Sequence, residues 1–96
     1  PAHQVVFPLR CVGRLGVRAF VITNAAGGIN PAFQPGDLMA ISDHLNLTGQ
    51  NPLMGSHDDS LGPRFPDMSA AYDPQLRALL RESAEQLGLR LQEGVY

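Results

Sequence analysis

Phe20-Val21-Ile22-Thr23-Asn24-Ala25-Ala26-Gly27-Gly28 is the stretch from which the fold can be read. It opens with apolar residues, β-branched in the middle, the pattern of a short strand buried on both faces. At Asn24 the run stops, and two alanines and two glycines follow. A buried strand that opens into a loop with almost no side chains is where an α/β protein lets its backbone meet a ligand. In open α/β sheets that meeting takes place outside the carboxyl ends of the strands. Small residues leave the amides bare, and bare amides hold anions. The simpler reading of the Gly-Gly pair is a tight turn whose glycines only supply positive φ.

Upstream of this stretch, Val5, Val6, Leu9, Val12, Gly13 and Leu15 recur at three-to-four-residue spacing, the mark of an apolar helix face. Pro8 is costly in a helix interior, so the spacing predicts a regular helix from about residue 6 to a stop at Gly16. His3 stands ahead of it, apart from other ligand types, and reads as a surface or packing residue. Downstream, Asn30-Pro31 and Pro35-Gly36-Asp37 are turn signals. A dinucleotide fingerprint needs its glycines to run directly into a helix, so classical dinucleotide binding is not expected. Leu38-Met39-Ala40-Ile41-Ser42 is the second strand candidate, ended by Asp43-His44.

From Asn46 to Asp73 the chain has little periodicity and holds three glycines and three prolines. Long loops of this kind are usually functional or disordered. Leu53, Met54, Leu61, Phe65, Met68 and Tyr72 recur through it as apolar anchors, which predicts an ordered, packed excursion. Asp43, His44, His57, Asp58 and Asp59 match no metal-ligand spacing and read as solvated turns, with no metal expected. A second helix is plain. Asp73 caps it, Pro74 occupies its first turn and Gly88 ends it. Leu76, Leu79, Leu80, Ala84 and Leu87 form its expected buried stripe, and Arg77, Arg81, Glu82 and Glu85 its wet face. Leu89 to Tyr96 then alternates as a strand, with Leu89 and Leu91 on the buried side.

The chain has 96 residues, 44% hydrophobic and 17% charged, with a formal net charge of −2. That balance is globular and carries no electrostatic footprint for nucleic acid or an anionic membrane. No apolar run approaches the roughly 18 residues of a membrane span. Cys11 is the single cysteine, so no internal disulfide forms, and a reducing, cytoplasmic setting is expected. The absence of an initial methionine and the ending inside a strand suggest a middle piece of a larger single domain, incomplete at both ends.

Several motifs now combine in one register. Val21 to Gly28, Pro35-Gly36-Asp37, Ser42-Asp43-His44-Leu45-Asn46, Gln50-Asn51-Pro52-Leu53, Arg64-Phe65-Pro66-Asp67-Met68-Ser69, Tyr72-Asp73 and Glu93-Gly94-Val95-Tyr96 resemble purine nucleoside phosphorylases of the trimeric branch. The resemblance covers essentially the whole chain. It implies an α/β fold with a mixed sheet and helices on both faces. It also implies phosphorolysis of purine (deoxy)ribonucleosides to free purine and (deoxy)ribose 1-phosphate, in purine salvage. Phosphate would be a co-substrate, no cofactor would be needed, and the assembly would be a homotrimer.

Residue by residue, the resemblance makes the backbone amide of Ala25 a phosphate donor and Ala26 and Gly27 the floor of the purine pocket. Phe65 resembles the aromatic that reaches across the ribose of a neighbouring subunit. Asn24 would orient the loop through side-chain-to-backbone bonding. A charge-assisted hydrogen bond to phosphate contributes roughly 1.5–3 kcal/mol, so one amide positions phosphate without holding it alone. The family's other phosphate ligands, its catalytic segment and its base-recognising glutamate and asparagine fall outside these residues. The 96 residues alone are therefore expected to be inactive. Two alternatives stand beside this reading: a non-catalytic phosphate- or nucleotide-binding module, and a methylthioadenosine phosphorylase. The latter family shares Pro-Gly-Asp but does not usually carry Asn-Ala-Ala-Gly-Gly.

Overall fold

Helix α1 runs Ala2–Arg14 and carries Pro8 in its interior, so it starts earlier than the predicted residue 6. Proline's fixed φ is itself helical. The ring costs the ladder a donor and some clearance without forcing the chain out of the helix. His3 consequently lies within the first turns and is exposed. Beyond Arg14 the chain turns through Leu15 and Gly16, where the glycine's φ of 90° marks the expected stop. The computed structural model describes residues 2–96, in two units: residues 2–25 with Asn46–Pro66, and Ala26–Leu45 with Asp67–Tyr96.

In the first unit, the links between α1 and the 46–66 segment are arginines. Arg10 donates from Nη2 to the Pro52 carbonyl at 3.3 Å. Arg14, four residues on and so on the same helix face, donates to Ser60 Oγ at 2.6 Å and lies 3.6 Å from the Asp58 carboxylate. Asp58 in turn caps a single 3-10 turn, Asp59–Leu61, by accepting from the Ser60 amide at 2.9 Å. Arg64 donates to the Gly55 carbonyl at 2.8 Å. Asn46 donates to the Gln50 carbonyl at 2.8 Å and accepts from the Thr48 hydroxyl at 2.7 Å. The excursion is ordered, but by polar ties. Its expected apolar anchors Leu53, Met54, Leu61 and Phe65 are exposed.

The strand predicted from Phe20 up to the stop at Asn24 does not form. Residues 17–29 have no regular secondary structure, and Val21 and Ile22 are 90% and 67% exposed. A strand is completed by a neighbour that takes up its backbone groups. Among the described residues nothing pairs with this one.

The second unit is organised around two strands and one helix. The turns at Asn30-Pro31 and Pro35-Gly36 lead into β1, Leu38–Asp43, as the sequence predicts. Helix α2 spans Pro74–Gln86 and β2 spans Leu91–Val95. The strands pair in parallel, Leu38 beside Leu91 and Ile41 beside Gly94, with an irregularity between Ile41 and Asp43. The order strand, helix, parallel strand is the βαβ unit of an α/β protein. Pairing continues past the strands: Tyr96 N donates to Asp43 O at 2.9 Å, and Leu45 N to Tyr96 O at 2.8 Å.

Helix α2 has the predicted ends. Asp73 Oδ1 accepts from Gln75 N at 2.8 Å and Leu76 N at 3.0 Å, and Gly88 beyond the last turn has φ 65°. Its predicted buried stripe does not hold. Ala84 is buried, whereas Leu76, Leu79, Leu80 and Leu87 are exposed. A two-stranded sheet offers one helix a narrow surface, and only Ala40 and Ala84 are buried among the described residues. The sheet is parallel throughout its two strands. No helix among the described residues is long and apolar enough to cross a membrane.

Candidate functional site

The Asn24–Gly28 segment is an exposed backbone run. Asn24 and Ala25 end the first segment of one unit, and Ala26 and Gly27 begin the other. Among the described residues, the amides of Ala25, Ala26, Gly27 and Gly28 have no hydrogen-bond partner. Neither Gly27 nor Gly28 has positive φ, so a turn that demands glycine is not the reason for the pair. Crowding by a neighbour does not demand it either. A Cβ on Gly27 would meet nothing within 4 Å, so this glycine leaves a face of backbone uncovered. Ala25 and Ala26 carry short side chains and are themselves exposed.

Asn24 lacks the side-chain-to-backbone bond expected of it among the described residues. The asparagine that makes such a bond is Asn30, whose Oδ1 accepts from Ala32 N at 2.9 Å while its carbonyl accepts from Phe33 N at 3.0 Å. That turn presents Phe33 to the glycines. A Cβ on Gly28 would lie 3.5 Å from Phe33 Cβ, and one on Gly94 would lie 3.9 Å from Phe33 Cζ. Phe33 carried no signal of this role in the sequence, because a lone aromatic between two prolines reads as a loop residue.

Around β1 and β2, charge and hydrogen bonding fix the strands. Asp37 Oδ2 accepts from Gln34 N at 3.0 Å and from Gln92 Nε2 at 2.9 Å. The Gln34 amide first, and then Gln92, holds its carboxyl below the usual aspartate range. Glu93 of β2 receives two guanidinium groups of α2, Arg81 at 3.0 Å and Arg77 on the other oxygen. Those bonds, Arg81's the larger, lower its pKa from the ordinary value of 4.5. At the carboxyl end of β1, His44 Nδ1 and Tyr72 Oη are 3.1 Å apart, with the rings edge to face at 5.8 Å.

Phe65 lies in the first unit and is 88% exposed. An aromatic ring this open on an ordered segment is free to meet another surface. His57 Nε2 lies 3.0 Å from Asp59 Oδ1, and Asp58 is a cap, so these residues serve their own turn. No group of three His, Cys, Asp or Glu side chains among the described residues is placed to hold a metal ion.

The family model described as "Phosphorylase superfamily" matches residues 1–96. The chain belongs to the phosphorylase superfamily. Among curated relatives, it is 56% identical over 93 residues to purine nucleoside phosphorylase 1 of Geobacillus stearothermophilus, covering 97% of this chain and 34% of the relative. It is 50% identical over 94 residues to purine nucleoside phosphorylase 1 of Bacillus subtilis, covering 98% of this chain and 35% of the relative. With purine nucleoside phosphorylase of Bos taurus it shares 48% identity over 101 residues, covering 100% of this chain and 35% of the relative. The chain thus spans about a third of the length of these superfamily members. Its α/β class agrees with that membership, and its bare Ala-Ala-Gly-Gly backbone lies within the matched span.

Proposed function

We propose that the protein containing this chain is a purine nucleoside phosphorylase, which cleaves a purine nucleoside with inorganic phosphate to free purine and pentose 1-phosphate. The observation that carries the reading is the identity of 48–56% to relatives of that name, maintained across nearly all of this chain. The open backbone at Ala25–Gly28 supports it chemically. The Ala25 amide is suited to donate to phosphate, and Ala26 and Gly27 are small enough to let a flat base lie against them. A branched side chain at either place would occupy the base's volume.

Departure of a purine leaves an electron-poor sugar with oxocarbenium character. Phosphate must reach it before water does. Phe65 is suited to supply an apolar wall over the ribose of a neighbouring subunit, which excludes water from the sugar. Its exposure supports this role, and the role requires an oligomer; a homotrimer is our reading. The reaction needs phosphate and no cofactor, and its setting is the cytoplasm. No general acid or base for the purine falls on the residues discussed, so this stretch alone is inactive.

The test is phosphate-dependent release of hypoxanthine from inosine by the complete protein, with methylthioadenosine as the competing substrate. Release from inosine that requires phosphate supports the reading. Preference for methylthioadenosine assigns the protein to the related phosphorylase, and no turnover of either substrate overturns the assignment. Light scattering of the same sample checks the trimer.

A further inference from the structure

Phe33 joins two parts of the second unit that the sequence keeps far apart. Its Cβ lies 3.5 Å from where a Gly28 Cβ would stand, and its Cζ lies 3.9 Å from the corresponding position on Gly94. The ring therefore spans from the glycine loop to β2, with Met39 Sδ on the Gly94 side at 3.1 Å from that same position. A Cβ on Gly28 would stand in ordinary van der Waals contact with Phe33, and one on Gly94 would press only on the flexible Met39 thioether, so Phe33 lies close beside both glycines without either being forced to be one. The Asn30 turn fixes where Phe33 begins, through the Phe33 N to Asn30 O bond at 3.0 Å.

Gly27 and Gly28 have no hydrogen bonds among the described residues and no side chains of their own to hold them. Phe33 is a side chain that stands beside both Gly28 and Gly94, and so beside both the loop and β2. We propose that Phe33 is a positioning residue for the purine pocket, setting the Gly27–Gly28 backbone at a fixed distance from β2. This rests on the reading above, in which Ala26 and Gly27 floor that pocket. Phe33 acts through Gly28 and touches neither substrate. Small misplacements of groups that orient a substrate can cost up to a hundredfold in rate, so loss of the ring is felt at the base more than at the phosphate.

The experiment is steady-state kinetics of the complete protein and its Phe33→Ala and Phe33→Leu variants, with KM measured separately for inosine and for phosphate. Phe33→Ala is expected to raise the inosine KM about tenfold while moving the phosphate KM less than about threefold. Leucine keeps much of the apolar volume and is expected to restore the inosine KM to within about threefold of the wild type. A merely structural phenylalanine would lower the melting temperature or the active fraction and leave both KM values in place; that result overturns the proposal. If Phe33→Ala does not fold, Phe33→Leu decides by the same ratio: a selective rise in the inosine KM supports the role, and unchanged KM values overturn it. Absence of phosphorolysis in the wild type overturns the underlying reading and this role with it. A wild type that turns over normally beside variants with unchanged KM values overturns the Phe33 role alone.

Discussion

Arg81 donates to Glu93 Oε2 at 3.0 Å, and Arg77, one helical turn earlier, donates to the other oxygen of the same carboxylate. Helix α2 is thereby pinned to β2 by one acid and two bases, at a place where little apolar surface is buried. The i, i+4 spacing of the arginines puts both on one helix face. Glu93 sits in a strand where its side chain is directed to that face, beside Ala40 of β1 in the register.

The first prediction concerns pH. Glu93 titrates near 4.5 when unfolded and lower when folded, because Arg81 and then Arg77 bond to its charged form. Between those two values the unfolded chain binds more protons, so stability rises with pH. The contribution is complete above the unfolded value and is lost as pH falls through the folded one. Urea midpoints of the complete protein and its Glu93→Gln variant should separate at pH 7, and the separation should shrink as pH falls below 4.5 through the lowered folded value. A separation that stays constant down to acid unfolding would refute the ion pair as the cause.

The second prediction concerns the α2 cap. Asp73 Oδ1 satisfies two amides of the first turn, which otherwise lack helical partners. Asp73→Ala should destabilise the protein by about 1 kcal/mol, and Asp73→Ser by much less. Denaturant unfolding measures both. Equal losses for alanine and serine would mean that the carboxylate serves something other than the cap.

The third concerns Gly94. A Cβ there would come within 3.1 Å of Met39 Sδ, the flexible thioether, and 3.9 Å of Phe33 Cζ. Met39 can yield a few tenths of an ångström, so Gly94→Ala should be nearly neutral. Gly94→Val adds branches that meet the less adaptable ring and should cost about 1–3 kcal/mol. Thermal or urea unfolding decides it, and a neutral valine would show that the β2 face has more room than these distances imply.

What could be read from the sequence follows a physical division. Caps and turns are written in adjacent residues, so Asp73, Pro74, Gly88 and the Pro35-Gly36 turn were all legible. Strand β1 was legible because its apolar run is bounded by turn signals. Burial was less so, because it depends on what an element meets. The leucines of α2 keep a clear helical period and yet are exposed, and Val21 and Ile22 read as a core strand but have no partner among the described residues. The chain spans only about a third of its relatives' length, and among the described residues only Ala40 and Ala84 are buried. Ties between distant positions, such as Gln92 to Asp37 or Phe33 to Gly94, left no local trace. The bare loop at Ala25–Gly28 was visible as composition, but that its glycines do not take positive φ needed the backbone angles.

The last prediction takes up that loop. If Ala26 lies against a flat base, a β-branched side chain there fills the base's volume, while the amide of Ala25 next to it is left in place. Ala26→Val should therefore raise the inosine KM by about tenfold or more, with the phosphate KM changed by less than about threefold. Residue 26 is exposed and lies outside helix and strand, so the fold should tolerate the change and melt within a few degrees of the wild type. Ala25→Pro gives the complementary result. It removes the amide that would donate to phosphate, so the phosphate KM should rise by about tenfold. Steady-state kinetics with each substrate varied in turn separates the two. If Ala26→Val shifts the phosphate KM and leaves the inosine KM alone, the base does not lie where the small residues leave room, and the order of ligands along Ala25–Gly27 must be reversed.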